Sequence, residues 1–354
     1  MFERFGLTLM VNHGCNLRCR YCYTGDKTPR AMTAATARAG IDRALRSLVP
    51  DGVLELAFFG GEPLIEAELI WDLMGYSREQ AIASGASVVW NMTTNGTLAQ
   101  GTAWRVMTHP EMQLAISHDG LTEIHDRHRV TVEGHGSSAT VLNTIDRLVA
   151  VGKEFRVVMV VRPDSVASLP EGIERLYKHG VRRFDPSLDL WTKWGVEDVA
   201  PLKASLRKCA DFWSARLPEI SISCLDEKAA RIADVPSGST ARCGFGSGEV
   251  AVAPSGLLYP CERLIGADTD DHPHRLPGDV FAGEDFLTFP PVPGKTAEAC
   301  TSCAINSLCS TTCRCSNLVR TGDVSRPDGL LCLWDQTCYR EALRVLQRNA
   351  APAA

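Results

Sequence analysis

The strongest constraint on the fold of this chain is an alternation of strand-like and helix-like segments that continues to Leu188. Six short runs rich in β-branched and aromatic residues predict strands at 6–12, 54–59, 87–93, 113–117, 155–162 and 182–188. Segments with helical periodicity lie between them at 33–48, 64–84, 140–151 and 169–179. Repeated strand–helix units build a parallel sheet covered by helices. Six strands are fewer than the eight of a closed barrel, so we expect an α/β fold, a partial (β/α)6 TIM-like barrel.

The sequence changes character near residue 235, where Gly, Pro and Cys become frequent and long periodic segments disappear. A short hairpin is predicted at 249–259, with its turn at Pro254-Ser255-Gly256, and a closing helix at 335–347. A loop-rich segment with a small core requires additional cross-links, and bound metal is the available kind. We therefore expect a barrel domain at 1–234, a small cysteine-rich domain at 235–345 and a tail at 346–354.

The composition excludes several classes of protein. Of the 354 residues, 45% are hydrophobic and 22% charged, as in ordinary globular proteins. The formal charge of -5 gives no support for a nucleic-acid or membrane-surface partner. The sequence has no apolar run of transmembrane length and no secretory signal pattern, so a cytoplasmic protein is expected.

The cysteine count of 14 is unusual for such a chain. A reducing cytosol disfavours disulfides. The cysteines are also unevenly distributed, because three lie at 15–22 and nine lie between 243 and 338. Clustering of this kind is typical of metal ligation.

The first cysteine cluster lies in the segment VNHGCNLRCRYCY, directly after the first predicted strand. In barrels of this type, active sites are built from the loops at the carboxyl ends of the strands. Three thiolates, from Cys15, Cys19 and Cys22, can bind three irons of a [4Fe–4S] cluster and leave the fourth iron open, which is typical of a catalytic site. A zinc site needs four ligands, and only His13 is nominally available as a fourth.

This CxxxCxxC loop, with the aromatic Tyr21 before its last cysteine, resembles the signature of the radical SAM superfamily. The resemblance implies that S-adenosyl-L-methionine binds the open iron through its amino and carboxylate groups. It also implies that an electron from the cluster cleaves this cofactor to a 5′-deoxyadenosyl radical, which abstracts hydrogen from a substrate. The cofactors would carry this chemistry and the protein would position them.

Further motifs stand at the ends of later predicted strands, in the order of the family. FGGEP ends the second strand, TTNG the third and SHDG the fourth, where His118 replaces the usual leucine. Glycine lets the backbone approach a ligand closely, and a glutamate can face a cationic amino group. GGEP alone is equally compatible with an ordinary turn. The resemblance implies the following residues near S-adenosyl-L-methionine: Tyr21, Gly60, Gly61, Glu62, Pro63, Thr94, Asn95, Ser117, Arg129 and Leu188.

The later cysteines follow a second pattern, in which Cys243 precedes Gly256 and Cys261, and CxxCxxxxxCxxxC is followed by Cys332. It resembles the SPASM extension of radical SAM enzymes, which carries two auxiliary [4Fe–4S] clusters and would bring the total to three. The resemblance implies that the outer auxiliary cluster is held by Cys300, Cys303, Cys309 and Cys332. It implies that the inner one is held by Cys243, Cys261 and Cys313. Either Cys224 is the fourth ligand of this cluster, or its fourth iron stays open for substrate. A zinc domain would explain only four of these cysteines.

Enzymes of the SPASM group mostly modify peptides. The resemblance therefore implies a peptide maturase, which is an oxidoreductase that acts on ribosomally made peptides. A radical dehydrogenase on a small molecule and a sulfatase-maturing enzyme that forms formylglycine are the alternatives, and an iron–sulfur electron carrier is a third. Glu262, after Cys261, is a candidate general base, and pairing with Arg263 is an equally good interpretation of its carboxylate.

Two partners follow from the same resemblance. The enzyme would need an external electron donor of the flavodoxin or ferredoxin type. Only fourteen residues precede Cys15, too few for a leader-binding domain. If the peptide substrate has a leader, we expect it to dock on the barrel, on the cysteine-rich domain or on a separate leader-binding protein.

Overall fold

The computed structural model describes residues 1–234, 244–289, 298–309 and 313–350. In chain order its strands and helices are β1 (Phe2–Asn12), α1 (Ala34–Arg46), β2 (Leu48–Gly60), α2 (Ala67–Ala83), β3 (Ser87–Thr94), α3 (Gly101–Thr108), β4 (Met112–Ser117), α4 (Thr122–His128), α5 (Ser138–Ala150), β5 (Phe155–Val161), α6 (Leu169–Lys178), β6 (Arg183–Leu188), α7 (Val199–Ser214), β7 (Ser221–Ile222), α8 (Ser223–Ile232), β8 (Glu249–Val252), β9 (Leu258–Tyr259), α9 (Glu298–Thr301), α10 (Arg314–Thr321) and α11 (Gly329–Ala350). The described residues form two compact units. Unit 1 comprises 1–116, 129–155 and 244–289, and unit 2 comprises 117–128, 156–234, 298–309 and 313–350.

Unit 1 is built on a parallel sheet that ends in a short hairpin. Its strands lie in the order β4-β3-β2-β1-β8-β9, and all neighbours are parallel except β8 and β9. Leu7 of β1 lies opposite Leu56 of β2 on one side and Val250 of β8 on the other. Side chains alternate along β2, so that Leu54, Leu56 and Phe58 are buried while the residues between them are partly exposed.

Helix α1 shows why these segments form and where they pack. Thr33 is its N-cap and its side chain accepts a hydrogen bond from the Thr36 amide at 3.1 Å, which satisfies one of the free donors of the first turn. The apolar side chains of Ile41, Ala44 and Leu45 recur on one face and are buried. Burial of a large aliphatic side chain of this kind stabilises a fold by about 1.5–3 kcal/mol.

Unit 2 combines a three-stranded parallel sheet, in the order β5-β6-β7, with a group of helices. A buried ion pair joins two of these helices, because Lys228 Nζ of α8 lies 2.7 Å from Asp335 Oδ1 of α11. The same ammonium group donates a hydrogen bond to the carbonyl of Leu308 at 2.9 Å. Helix α8 is thereby connected both to α11 and to the segment that carries Cys309.

All six predicted strands, the four predicted helices, the hairpin and the closing helix are present, with differences at their ends. Strand β2 begins six residues earlier than predicted, because Leu48 pairs with Phe2 across a register shift that accommodates Pro50-Asp51-Gly52. The sequence did not predict that β8 pairs with β1. The domain boundary near residue 235 stays a prediction.

Candidate active site

Backbone hydrogen bonds join the two ends of the loop that follows β1, and we call this junction the neck of the loop. The amide of His13 donates to the carbonyl of Arg30 at 2.9 Å, and the amide of Met32 donates to the carbonyl of Val11 at 2.7 Å. Asn12 and Ala31 form an isolated β-bridge between these two contacts. Residues 13–30, which we call the cysteine loop, therefore project from the carboxyl end of β1 with both ends fixed.

The three cysteines of this loop lie in different environments. Cys15 and Cys19 are half-buried, and Cys22 is exposed. Burial raises the pKa of the Cys15 thiol, although its sulfur accepts a hydrogen bond from the Leu17 amide at 3.3 Å.

Desolvation acts in the same direction on Cys22, yet the hydrogen bond with Thr24 and the positive charge of Lys27 together hold its pKa below the ordinary value. Lys27 Nζ lies 3.1 Å from Cys22 Sγ. Iron binds the thiolate form of cysteine, so amide donors and a cation around these sulfurs fit the ligand role predicted for the loop.

Gly60 and Gly61, at the end of β2, lie in close contact with the start of the cysteine loop. A Cβ atom on Gly61 would lie 2.2 Å from the Gly14 carbonyl oxygen, and one on Gly60 would lie 2.6 Å from the Asn12 side chain. The amide of Glu62 donates to that same Gly14 carbonyl at 2.8 Å. The glycines of the FGGEP motif are therefore required for the approach of two backbone segments, whatever they do for a ligand.

Glu62 connects the second and third strand-end motifs. Its buried carboxylate accepts hydrogen bonds from the Leu64 amide at 3.0 Å, the Thr94 hydroxyl at 2.6 Å and the Asn95 amide at 2.7 Å. Burial raises the pKa of this carboxyl group, although all three hydrogen bonds act in the opposite direction. Pro63 begins the short helical turn that follows, for which Glu62 is the N-cap.

Asn95 carries this network on to the cysteine loop. Its side-chain amide donates to Asn16 Oδ1 at 2.9 Å and lies 3.9 Å from Cys15 Sγ. The same side chain accepts from the Thr97 amide at 2.9 Å. The structure therefore brings together the predicted residues Cys15, Gly61, Glu62, Thr94 and Asn95 in unit 1.

Tyr21 and Arg129, predicted separately, are neighbours. The Arg129 guanidinium lies 5.2 Å from the centre of the Tyr21 ring, within the range of a cation–π interaction. Arg129 is buried, and the amide of Arg18 donates to the carbonyl of Val130 at 2.7 Å beside it. This second predicted pair also belongs to unit 1.

The remaining predicted cofactor residues, Ser117 and Leu188, belong to unit 2. Ser117 is buried at the end of β4, and Leu188 pairs with Val161 at the end of β6. Next to Ser117, the ring of His118 lies against that of His125, with the ring centres 4.2 Å apart and the planes tilted by 30°. The replacement of leucine by His118 thus adds a buried aromatic pair at this strand end.

Four of the later cysteines form a group in unit 2. Burial and the neighbouring thiols of Cys309, Cys300 and Cys303 raise the pKa of Cys332 to about 11. These four thiols are the predicted ligands of the outer auxiliary cluster, and the influence of the other three on Cys332 fits that role. Among the residues described, no three His, Cys, Asp or Glu side chains converge on a position that suits a single metal ion.

The structure describes only some of the predicted ligands of the inner auxiliary cluster. Cys243 lies outside the described residues. Cys313 Sγ lies 3.4 Å from the sulfur of Cys315, a residue that the sequence left unassigned. Cys224 interacts with Cys338 and Cys209, both buried, so the packing of α7, α8 and α11 gathers three thiols there.

Glu262 follows the buried Cys261, whose sulfur lies 3.4 Å from the glutamate Oε2. Tyr23, in the cysteine loop, lies within the influence of Glu262, Arg263, Cys261 and Cys22, and burial together with the Glu262 carboxylate raises the pKa of its phenol. The candidate base therefore lies beside the cysteine loop in unit 1. Sequence reasoning missed Tyr23 and Lys27, although both stand within five residues of Cys22.

Comparison with known proteins confirms the resemblance to radical SAM enzymes. A model of the Radical SAM superfamily matches residues 9–176. The chain is 26% identical over 288 residues to a serine-type anaerobic sulfatase-maturating enzyme of Klebsiella aerogenes, an alignment that covers 75% of this chain and 67% of that protein. It is 23% identical over 335 residues to a PqqA peptide cyclase of Streptomyces rochei, covering 91% and 88% of the two chains.

The solved structure of native anSMEcpe with bound AdoMet superposes on 98% of this chain and 100% of that one, with a TM-score of 0.80 and 19% identity. Residues 9–176 are therefore a radical SAM domain, and the α/β fold of the chain is that of the solved enzyme, as predicted. The radical SAM family of this domain implies an iron–sulfur cluster and S-adenosyl-L-methionine as cofactors. None of the described helices is long and apolar enough to cross a membrane.

Proposed function

We propose that the protein is a radical SAM enzyme that oxidises a residue of a peptide substrate. The observation that carries this proposal is the second group of thiols, formed by Cys300, Cys303, Cys309 and Cys332, in a chain that also has the cysteine loop. A simple radical enzyme needs only the loop. The relatives are named as maturating enzymes of sulfatases and as cyclases of the peptide PqqA, which supports a peptide or protein substrate.

The ligand assignments are part of the proposal. Cys15, Cys19 and Cys22 would hold three irons of the first [4Fe–4S] cluster, and the four thiols of unit 2 would hold a second. Cys243, Cys261 and Cys313 would contribute to a third. When bound, the clusters and S-adenosyl-L-methionine supply a hydrogen-abstracting radical and an electron acceptor.

The protein's own residues position these groups and accept a proton. Glu62, Thr94 and Asn95 fix the second and third strand ends against the cysteine loop. Tyr21, Arg129, Ser117 and Leu188 would complete the surroundings of S-adenosyl-L-methionine, as would Gly60, Gly61 and Pro63. Arg129 carries the positive charge that a cofactor carboxylate requires.

Glu262 is proposed to act as the base. An oxidation that removes two hydrogens from a peptide residue releases one hydrogen atom, one proton and one electron. The carboxylate of Glu262, which contacts the Cys261 sulfur and influences Tyr23 of the cysteine loop, would take the proton. The electron that starts each turnover would come from a flavodoxin- or ferredoxin-type donor.

The test is reconstitution followed by co-expression. Anaerobically reconstituted protein should contain about twelve iron atoms per chain and should form 5′-deoxyadenosine from S-adenosyl-L-methionine after reduction. Co-expression with genes for short peptides should yield a peptide lighter by two hydrogens. The Cys22→Ala variant should abolish this change, whereas Cys209→Ala, in helix α7, should retain it.

Three results would contradict the proposal in different ways. About one zinc per chain would exclude the cluster assignments. Absence of 5′-deoxyadenosine would leave only an electron carrier. Formation of 5′-deoxyadenosine with oxidation of a sugar or amino acid and of no peptide would favour the small-molecule dehydrogenase.

A further inference from the structure

Asp268 has a backbone conformation that residues with a side chain rarely adopt. Its φ angle is 55°, in the left-handed region, and its carboxylate is fully buried. Such a conformation persists where the surrounding contacts determine it strongly, and these positions are concentrated at functional sites. The contacts of Asp268 are therefore informative.

The side chain of Asp268 contacts three separate segments of unit 1. It accepts hydrogen bonds from the Ser255 amide at 3.0 Å and from the Ser255 hydroxyl. Arg30 Nη1 lies 3.2 Å from its Oδ2, and His13 Nε2 lies 3.6 Å from the same oxygen. The Arg30 guanidinium also donates to the Asp268 carbonyl at 2.9 Å.

Two of these contacts lie at the neck of the cysteine loop. His13 and Arg30 are its first and last residues and are hydrogen-bonded to each other through their backbones. Ser255 lies in the turn between β8 and β9, and Asp268 follows Cys261 and Glu262 by a few residues. One carboxylate thus joins both ends of the cysteine loop to the segment that carries the candidate base.

The far end of the cysteine loop meets the same segment. A Cβ atom on Gly25 would lie 3.6 Å from the Gly266 carbonyl group, so the two backbones are in close proximity. Glu262, Arg263 and Cys261 all act electrostatically on Tyr23 of the loop. The loop therefore approaches this segment at Gly266 and contacts Asp268 at its neck.

We propose that Asp268 is a positioning residue, which sets the separation between the cysteine loop and the Cys261–Glu262 segment. This inference rests on the proposed function, since the separation matters when the loop generates the radical and Glu262 takes the proton. The hydrogen bonds from Ser255, the ion pair with Arg30 and the contact with His13 together hold the two segments at one separation. A displacement of about 1 Å at a reaction centre can cost on the order of a hundredfold in rate.

The experiment compares Asp268→Gly with Asp51→Gly in the reconstituted holoenzyme. Glycine tolerates the left-handed backbone, so the first variant removes the side-chain contacts without adding strain. Asp51 also has a positive φ, of 62°, but its side chain is exposed, which makes it the matched control. Asp268→Asn, which keeps the shape and removes the charge, is the milder variant if the glycine variant does not fold.

Two readouts are measured. In Asp268→Gly, hydrogen exchange of the amides at 14–29 and at 255–266 should become faster together, by about tenfold or more. The amount of modified peptide per 5′-deoxyadenosine should fall by about tenfold or more, while cofactor cleavage without peptide continues. Asp51→Gly should change neither quantity.

The outcomes separate this inference from the proposed function. If no peptide is modified by the wild type, yet exchange at both segments increases in Asp268→Gly, the positioning role stands and the proposed reaction fails. If exchange at the two segments is unchanged in both Asp268 variants, the positioning role is overturned. If exchange increases but the yield of modified peptide per 5′-deoxyadenosine is unchanged, Asp268 is a structural residue only.

Discussion

Gly61 lies directly against the carbonyl oxygen of Gly14, at a distance that leaves no space for a Cβ atom between them. The residue at the end of the second strand therefore determines how closely the cysteine loop can approach the sheet. Neither residue has a side chain, and the contact is made by two backbones.

The first prediction concerns this contact. Gly61→Ala would place a methyl group 2.2 Å from the Gly14 oxygen, so the loop has to move. Overpacking of this kind costs about 1–3 kcal/mol. We expect a lower free energy of unfolding and loss of about four iron atoms per chain after reconstitution, measured by iron analysis.

The control is Gly75→Ala in helix α2, where the added methyl group meets no atom within 4 Å and should stabilise the protein by about 0.5–1 kcal/mol. Full iron content in Gly61→Ala would refute the prediction.

The second prediction concerns Glu62. Glu62→Gln places an amide group where the carboxylate accepts three hydrogen bonds, so that its NH2 opposes an N–H or O–H donor. Leaving a buried donor without an acceptor costs about 1–3 kcal/mol, which denaturant unfolding of the apoprotein would measure. Glu68→Gln, exposed in the first turn of α2, is the control and should remain within about 0.5 kcal/mol of the wild type. A Glu62→Gln variant as stable as that control would show that the network contributes little.

A third prediction distinguishes cluster ligands from structural cysteines. Cys332→Ala should reduce the iron content from about twelve to about eight atoms per chain, because one cluster loses a ligand. Cys209 is equally part of the helical packing of unit 2, but its sulfur is buried against Cys224. Cys209→Ala should therefore lower stability without changing the iron content. Equal iron in the two variants would contradict the assignment of the outer cluster.

The buried ion pair of unit 2 gives a fourth prediction. Lys228→Met removes the cation that pairs with the buried Asp335 carboxylate, and breaking a buried pair in this way typically costs about 3–5 kcal/mol. The double variant Lys228→Met, Asp335→Leu should recover most of this loss, since an apolar pair avoids the desolvation of two charges. Thermal and denaturant unfolding measure the stability of the single and of the double variant.

The control is Lys178→Met, which removes the exposed pair with Glu174 and should change stability by less than about 1 kcal/mol. A double variant no more stable than Lys228→Met would rule out this account.

His109 gives the pH dependence. Burial and the nearby positive charge of Arg78 hold the pKa of His109 below its usual range, and its Nδ1 accepts a hydrogen bond from the Glu111 amide. The unfolded chain, with a histidine pKa of about 6.5, takes up the proton first. Stability from this residue is therefore fully present above about pH 6.5 and is lost as the pH falls below it, by at most about 1.4 kcal/mol per pH unit.

The His109→Asn variant should flatten the decrease in stability between pH 6.5 and 5, and His135→Asn, at an exposed position, is the control. A slope unchanged in His109→Asn would exclude this residue as its source.

Much of the site was accessible to sequence reasoning because it lies in short, local patterns. Cys15, Cys19 and Cys22 occupy one loop, and FGGEP and TTNG each occupy one strand end. In a parallel sheet the carboxyl ends of neighbouring strands meet at one edge, so the approach of Glu62 to Asn95 follows from the order of the strands. The residues that the sequence missed depend on contacts between distant segments. Nothing local to Asp268, Ser255 or Arg30 indicates that one carboxylate joins them.

The sequence by itself determined the alternation of strands and helices, the cysteine spacings and the family resemblance that these spacings carry, because periodicity and short-range spacing are properties of the chain alone. Only the tertiary structure decided that β8 extends the sheet beside β1, that Gly61 supports Gly14, and that the segment carrying Glu262 lies against the cysteine loop. These relationships join residues separated by tens to hundreds of positions. Their energy comes from backbone pairing and buried charge that exist only when the whole unit has folded.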